Sequence, residues 1–292
     1  MVEVPEVGAF LLGAPKCGTT WLAEVLMQHP EICVSDPKEP NIVASHKGTF
    51  GRDDSEPDWA DYANCFNGDG LRIDCSVHAM ACPIAPSRVA NNWPNARLII
   101  CLREPVSRTV SHWNMVLDTK EDKENGADWS DFSSAWEDSR LSDDTLYGAA
   151  IARWLEHFDS DSILLIEANR MRYNASEVLE DVCNHLSVPS RSFNFNLVKN
   201  ANTAADRRPI TAFGRMFRIT AGLLPGFIKA PIVRGLQSRG INVYKLPVLS
   251  AKSASKRAIT EEQRALLAPD INADLELLED SMGFDCSKWR LQ

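Results

Sequence analysis

A lysine, two threonines and two glycines lie close together near the N-terminus, in the segment Gly13-Ala-Pro-Lys-Cys-Gly-Thr-Thr-Trp21. The segment joins an apolar run to a helical pattern, so backbone N–H groups and a helix N-terminus should converge where an anion can bind. Gly13 and Gly18 allow tight turning and close approach of the backbone to a phosphate. The lysine adds mobile positive charge, and the threonines add hydroxyl donors. Together these residues predict a phosphate-binding loop.

The spacing differs from that of a Walker A motif, GxxxxGK[ST], in which lysine directly follows the second glycine. Thr19 occupies that position here, and Lys16 lies inside the loop. This difference argues against an enzyme that hydrolyses nucleoside triphosphates and also against a kinase. A P-loop nucleotide kinase stays open as an alternative, as does a glycine-rich turn without a ligand.

A second candidate anion site follows the apolar run Arg97–Leu102, in the segment Arg103-Glu-Pro-Val-Ser-Arg-Thr-Val-Ser111. Arginine forms bidentate, charge-assisted hydrogen bonds with phosphate, and a serine on the next helix adds a directed donor. Arg103 and Ser111 therefore form a predicted second phosphate clamp, whereas Arg108 is expected to be structural or peripheral. Taken alone, this segment could also be a solvated helix start.

The first segment resembles the PKSGTTWL loop of the sulfotransferases that use 3′-phosphoadenosine 5′-phosphosulfate (PAPS). The resemblance implies that Lys16 contacts the transferring sulfuryl group and that Trp21 stacks on adenine. It also implies a set of residues that hold the 5′-phosphate: Cys17, Gly18, Thr19 and Thr20. Cys17 replaces the usual serine, which should be tolerated because the backbone binds the phosphate.

The second segment resembles the RxPxxRxxS motif of the same family, which implies that Arg103 and Ser111 bind the 3′-phosphate. The later segment Tyr147…Arg153-Trp-Leu-x-x-Phe158 is similar to the heparan-sulfate and bacterial branches. Arg207 and Arg208 lie roughly where many members close a loop on the nucleotide, although a solvated basic turn is equally open.

Sulfuryl transfer also needs a group that accepts the acceptor's proton. The segment Asp36-Pro-Lys-Glu39-Pro resembles the KE segment of heparan-sulfate-type enzymes, in which the glutamate is the base. Glu39 is therefore the first candidate, and an exposed carboxylate beside Lys38 is the simpler interpretation. His78 is the alternative base, but the segment before it lacks the lysine that accompanies the histidine of cytosolic enzymes. His46 is a third candidate without motif support.

The elements that must position these residues alternate between short apolar runs and helical patterns, as in a parallel α/β sheet. The predicted strands are Gly8–Leu12, Leu71–Asp74, Arg97–Leu102 and Ser162–Ile166. The predicted helices are Thr19–Gln28, one that follows a loop with Pro105 and runs to about Leu117, Leu146–Phe158, Ala175–Leu186 and Thr260–Ser281. We expect a single-domain parallel sheet flanked by helices over 1–292, a P-loop-like sulfotransferase fold, with a cap or acceptor-side insertion around 203–249.

Composition restricts the partners and the compartment. A formal net charge of −9 argues against a nucleic-acid partner, and no apolar run reaches the about 18 residues of a membrane span. The eight cysteines show no disulfide framework and no metal-ligand spacing. We therefore expect a cytoplasmic protein without a metal site. The resemblance to sulfotransferases implies that it uses PAPS, releases adenosine 3′,5′-bisphosphate and needs no metal.

The expected activity is direct, in-line transfer of a sulfuryl group to a hydroxyl or amine. The acceptor would be a glycan or a small molecule, drawn from carbohydrates, lipids or small alcohols. A protein that binds the nucleotide without catalysis stays open as an alternative.

Overall fold

The computed structural model describes residues 3–198 and 257–292. The predicted insertion around 203–249, together with Arg207 and Arg208, lies outside these residues. The single-domain organisation therefore stays a prediction.

The described residues form seven strands: β1 (Ala9–Gly13), β2 (Ile32–Val34), β3 (His46–Lys47), β4 (Gly51–Arg52), β5 (Leu71–Asp74), β6 (Arg97–Leu102) and β7 (Ile163–Glu167). Five of them form one parallel sheet in the order β2-β5-β1-β6-β7, and β3 pairs with β4 in an antiparallel hairpin. The central strands β1 and β6 are apolar and buried along nearly their whole length, because helices cover both faces of a parallel sheet.

Helices precede or follow most of these strands. They are α1 (Thr19–Leu26), α2 (Trp59–Ala63), α3 (Ala85–Asn92), α4 (Pro105–Thr119), α5 (Glu121–Glu124), α6 (Phe132–Glu137), α7 (Ser139–Ser142), α8 (Tyr147–Leu155), α9 (Ala168–Tyr173), α10 (Ala175–His185) and α11 (Glu261–Met282). None of the helices within the two described ranges is both long enough and apolar enough to span a membrane.

The predicted α/β fold is confirmed, and two strands, Leu71–Asp74 and Arg97–Leu102, have the predicted bounds. The long helices end within three residues of their predicted ends. The β3–β4 hairpin was not predicted, since strands of two residues show no periodicity.

The strand order places the site. From β1 the chain moves to one side of the sheet for β2 and β5, and to the other side for β6 and β7. In such a sheet a crevice opens at the carboxyl end of the strand where the order reverses. The loop from β1 to α1 lies at this point, and the loops that follow β2, β5 and β6 begin at the same edge.

The C-terminal helix α11 is fixed to the start of α8 by a buried carboxylate. Asp274 accepts hydrogen bonds from the N–H groups of Gly148 and Ala149, each at 2.8 Å. The two helices approach so closely that a Cβ atom on Gly148 would lie 2.3 Å from the Asp274 carbonyl oxygen. This contact holds α8, and the loop before it, beside the carboxyl edge of the sheet.

Candidate active site

The loop between β1 and α1 is closely packed against the loop after β5. A Cβ atom on Gly13 would lie 2.8 Å from the Val77 carbonyl oxygen and 2.9 Å from Met80 Cβ, so only glycine fits there. Gly18, the residue before α1, has a φ of 89°, a left-handed conformation that glycine adopts without strain. Glycine is therefore required at Gly13 for close packing and favoured at Gly18 for the left-handed bend.

The first turn of α1 can receive an anion. No side chain caps this end of the helix, and the first turn carries no acidic residue. Its N–H groups and the positive end of the helix dipole therefore face the loop. Thr19 is buried and Thr20 half-buried in this turn. Lys16 reaches from the loop to α4, where its Nζ lies 3.5 Å from Met115 Sδ.

Trp21 lies further along α1 and is half-buried. Its ring stacks on that of Phe195, with centroids 6.0 Å apart and an interplanar angle of 25°. The predicted stacking of Trp21 on adenine stays a prediction.

Cys17 is fully buried, and its Sγ lies 3.8 Å from the Tyr147 hydroxyl. Burial raises the pKa of the Cys17 thiol to about 11, although the charges of Arg108 and Arg103 oppose the rise. A nucleophilic cysteine needs a lowered pKa, so Cys17 can contribute to this loop only through its backbone and its packing.

The second predicted clamp lies at the end of β6. Glu104 caps α4 by accepting hydrogen bonds from the N–H groups of Val106 (3.0 Å) and Ser107 (2.8 Å). The Arg103 side chain is partly exposed, and no described carboxylate lies within ion-pair distance of it. Ser111 lies two turns into α4 and is partly buried. Arg103 is therefore available to an external anion at the same sheet edge as the first loop.

The two segments are tied to each other, and the first tie is Arg108, which is fully buried. All five guanidinium N–H groups have acceptors: Pro15 O (3.1 Å), Leu141 O (3.0 Å), Thr145 Oγ1 (2.7 Å), Asp144 Oδ2 (3.1 Å) and His112 Nδ1 (2.5 Å). Arg108 is structural, as expected, but its task is specific. It fixes the phosphate-loop backbone to α4 and to the loop before α8.

The second tie is Tyr147, the first residue of α8. Its hydroxyl donates to the Arg103 carbonyl oxygen at 2.9 Å and contacts Cys17. The sequence signal for these ties was weak. Arg108 lies within α4, a few residues after Arg103, but its acceptors are scattered along the chain.

Glu39 lies in the loop after β2, and this loop is bound to the end of β5. Ser35 Oγ donates to the Lys38 carbonyl oxygen at 2.7 Å, and Asn41 N–H donates to Ser76 Oγ at 3.0 Å. The Glu39 carboxylate is 32% exposed and lies 2.8 Å from Lys38 Nζ. Glu39 therefore lies at the carboxyl edge of the sheet and is paired with the neighbouring lysine.

His78 lies in the loop after β5, and its side chain is only 10% exposed. Its Nδ1 lies 3.3 Å from Oδ2 of the buried Asp144. Burial would raise the pKa of Asp144, but the contact with His78 and the positive charge of Arg108 hold it well below its usual range. Asp144 is thus a buried carboxylate, and no sequence motif pointed to it.

The other histidines have structural contacts. His112 is fully buried, and burial and Arg108 hold its pKa well below the usual range. It is therefore neutral, so its Nδ1 accepts from Arg108 and its Nε2 donates to Thr49 Oγ1 at 2.9 Å. His46 is buried in the β3–β4 hairpin. Within residues 3–198 and 257–292, no group of three histidine, cysteine or acidic side chains is placed to hold a metal ion.

A parallel sheet with a glycine-rich anion loop that lacks the Walker lysine defines a P-loop-like α/β protein. The family follows from the sequence itself: the profile of the sulfotransferase domain matches residues 8–207. The chain belongs to the sulfotransferase domain family.

Relatives with known names are distant. Heparan sulfate glucosamine 3-O-sulfotransferase 5 of Mus musculus is 25% identical over 206 residues, which cover 66% of this chain and 57% of that protein. The bifunctional heparan sulfate N-deacetylase/N-sulfotransferase 1 of Caenorhabditis elegans is 24% identical over 191 residues, or 63% of this chain and 22% of that protein. This chain thus spans little more than half of the first relative and less of the second.

A solved structure agrees with the fold. A sulfotransferase from Alicyclobacillus acidocaldarius superposes with a TM-score of 0.65 at 19% identity, covering 99% of this chain and 100% of that one. This likeness shows a shared sulfotransferase fold.

Proposed function

We propose that this chain is a sulfotransferase that moves a sulfuryl group from PAPS directly to a hydroxyl or amine. One observation carries the proposal. Two anion-binding segments, Gly13–Trp21 and Arg103–Ser111, meet at one sheet edge and are tied together through Arg108 and Tyr147. Two linked anion sites fit a nucleotide with phosphates at both its 5′ and 3′ positions.

The residues present fit such a nucleotide. The uncapped first turn of α1 and the Gly18 bend leave N–H groups for a 5′-phosphate. The partly exposed Arg103 guanidinium, together with Ser111, would hold the 3′-phosphate. PAPS would supply the sulfuryl group. Lys16 would stabilise the negative charge that develops on the leaving phosphate, which is usually a large part of catalysis.

Glu39 is the proposed general base. Its carboxylate is partly exposed at the carboxyl edge of the sheet, where an acceptor can reach it. A general base must lie within hydrogen-bond reach of the proton it takes. Lys38 Nζ, at 2.8 Å from Glu39 Oε1, holds the carboxylate in position.

The proposed acceptor is a glycan or a small molecule that carries a hydroxyl or an amine. Heparan sulfate enzymes among the relatives support a carbohydrate. We also propose a reducing, cytoplasmic compartment. The eight cysteines support this because all of them are buried and unpaired.

Radiolabelled PAPS tests the activity against a panel of sugars, lipids and small alcohols. We expect label in at least one acceptor. The Lys16→Ala variant should lose about 10²–10³ in turnover, as removal of a charge-stabilising donor does elsewhere. Binding of adenosine 3′,5′-bisphosphate without transfer across the panel would favour a non-catalytic binder. Binding of Mg-ATP in its place would favour a kinase.

A further inference from the structure

His78 has a geometry that a merely packed histidine does not need. One ring nitrogen, Nδ1, faces the carboxylate of Asp144 at 3.3 Å. Among the residues that the structure describes, none forms a hydrogen bond with the other nitrogen, Nε2. The buried atoms without a partner in those ranges are Asn41 Oδ1 and Arg153 Nε. Nε2 is not one of these buried atoms, so it is the exposed polar atom of the His78 ring.

The proton positions follow from Arg108. An arginine only donates, so Asp144 Oδ2 and His112 Nδ1 both accept from it. An ionised Asp144 can only accept, and His78 must therefore carry its proton on Nδ1. In the neutral ring, this leaves the lone pair on Nε2. In that form the exposed nitrogen of His78 is a hydrogen-bond acceptor.

The ring lies beside the reaction centre. The carbonyl oxygen of Val77, the residue before His78, faces Gly13 of the phosphate loop. The His78 ring centroid lies 6.1 Å from that of His112. Burial, Arg108 and, to a smaller extent, Lys16 lower the pKa of His112, so the Lys16 ammonium lies near this cluster. Asp144 and His46 are the other titratable groups, within the described residues, that interact with His78.

We propose that His78 Nε2 accepts a hydrogen bond from a second donor group on the acceptor, adjacent to the reacting hydroxyl or amine. Asp144 is the positioning residue, because it keeps the His78 proton on Nδ1. The inference rests on the proposed function. Glu39 takes the reacting proton, and a single O–H cannot donate to two groups. The acceptor should therefore carry a neighbouring hydroxyl or N–H, as a vicinal diol or an amino alcohol does.

Nitrogen-15 NMR tests the tautomer without any turnover. In the wild-type protein with adenosine 3′,5′-bisphosphate, we expect the proton of His78 on Nδ1. Asparagine in place of Asp144 would keep a carbonyl oxygen towards Arg108 and His78, since Arg108 only donates. In Asp144→Ala, no oxygen accepts from Nδ1, and the proton should move to Nε2. The exposed His157 serves as the internal reference and should not change. A wild-type His78 with its proton on Nε2 would overturn the inference, whether or not the protein transfers sulfate.

Two matched probes test the contact: trans-1,2-cyclohexanediol and cyclohexanol. The His78 Nε2 resonance should shift on titration with the diol but not with the alcohol. The diol should bind about two- to tenfold more tightly, the usual contribution of one hydrogen bond. His78→Ala should abolish this preference and keep the nucleotide affinity. This variant leaves the acceptors of Arg108 intact, so it also serves if Asp144→Ala does not fold.

Each remaining outcome is decisive. Equal shifts with both probes, or none, would exclude Nε2 from the acceptor contact. In turnover, His78→Ala should raise the KM of an acceptor with a neighbouring donor and leave kcat nearly unchanged. A fall in kcat at constant KM would make His78 the base and overturn the proposed division of roles. Absence of any transfer, with the tautomer and the probe shifts as expected, would contradict only the proposed function.

Discussion

The proposed nucleotide side and the proposed acceptor side of this crevice are held in place in different ways. On the nucleotide side, Arg108 is fully buried and uses all five of its donors, and Tyr147 joins the two anion-binding segments. On the acceptor side, the Glu39 carboxylate is about a third exposed and pairs with its neighbour Lys38. One side is a buried and fully satisfied network, and the other is a partly exposed ion pair.

This difference separates stability from rate. Removing one partner of a buried network leaves uncompensated charges and destabilises the fold strongly. An exposed ion pair contributes little to stability, so a change there can remove a chemical group while the fold stays intact. Variants on the two sides should therefore fail in different assays.

The largest effect is expected for Arg108→Ala. It would leave the buried Asp144 without its arginine and free the Pro15 carbonyl oxygen of the phosphate loop. The free energy of unfolding should fall by about 3–5 kcal/mol, measured by urea denaturation.

The matched control is Arg170→Ala, since Arg170 is 45% exposed and pairs with Asp181 on the surface. Its free energy of unfolding should change by no more than about 0.5 kcal/mol. Equal stability of the two variants would show that the network does not hold the nucleotide side.

Glu39→Gln tests the acceptor side. Glutamine has nearly the same shape but cannot accept the proton, so turnover should fall by about 10²–10⁴. Nucleotide affinity and the urea midpoint should stay at wild-type values. Glu56→Gln, at an exposed loop position, is the control and should keep full turnover. A Glu39→Gln variant with wild-type kcat would remove Glu39 from the chemistry.

On the nucleotide side, the sequence predicted the loop residues better than it predicted the buried network behind them. Lys16, Gly18 and Thr19 lie within one short segment, where local spacing alone indicates a phosphate loop. Asp144 and Arg108 are 36 residues apart in the chain, and their contact depends on how α4 and the loop before α8 pack. No local pattern encodes such a contact. The sequence therefore indicates a phosphate loop, whose contact with a nucleotide stays a prediction, but it does not indicate the network of Arg108 and Asp144 that holds this loop.

A smaller effect is expected from acid. Burial lowers the pKa of His46 from 6.5 to about 4, so the unfolded chain binds a proton in this interval and the folded chain does not. This histidine therefore makes the free energy of unfolding fall as the pH decreases from 6.5 towards 4. Urea unfolding at pH 7 and pH 5 should show a smaller decrease for His46→Gln than for the wild type.

The comparison of variant with wild type isolates His46 from other groups. Burial raises the pKa values of Asp74 and Asp274, which act in the opposite direction and are shared by both proteins. His157→Gln, at an exposed position, should leave the pH dependence unchanged. If the free energy of unfolding decreased equally in the wild type and in His46→Gln, protonation of His46 would not destabilise the folded hairpin.

The central claim is that two linked phosphate sites hold one nucleotide, and calorimetric titration tests it without any knowledge of the acceptor. Adenosine 3′,5′-bisphosphate should bind about 10- to 100-fold more tightly than AMP, because its 3′-phosphate gains charge-assisted hydrogen bonds from Arg103 and Ser111. Arg103→Ala should remove most of this difference and leave the affinity for AMP nearly unchanged. Equal affinities of the wild-type protein for the two nucleotides would contradict the account.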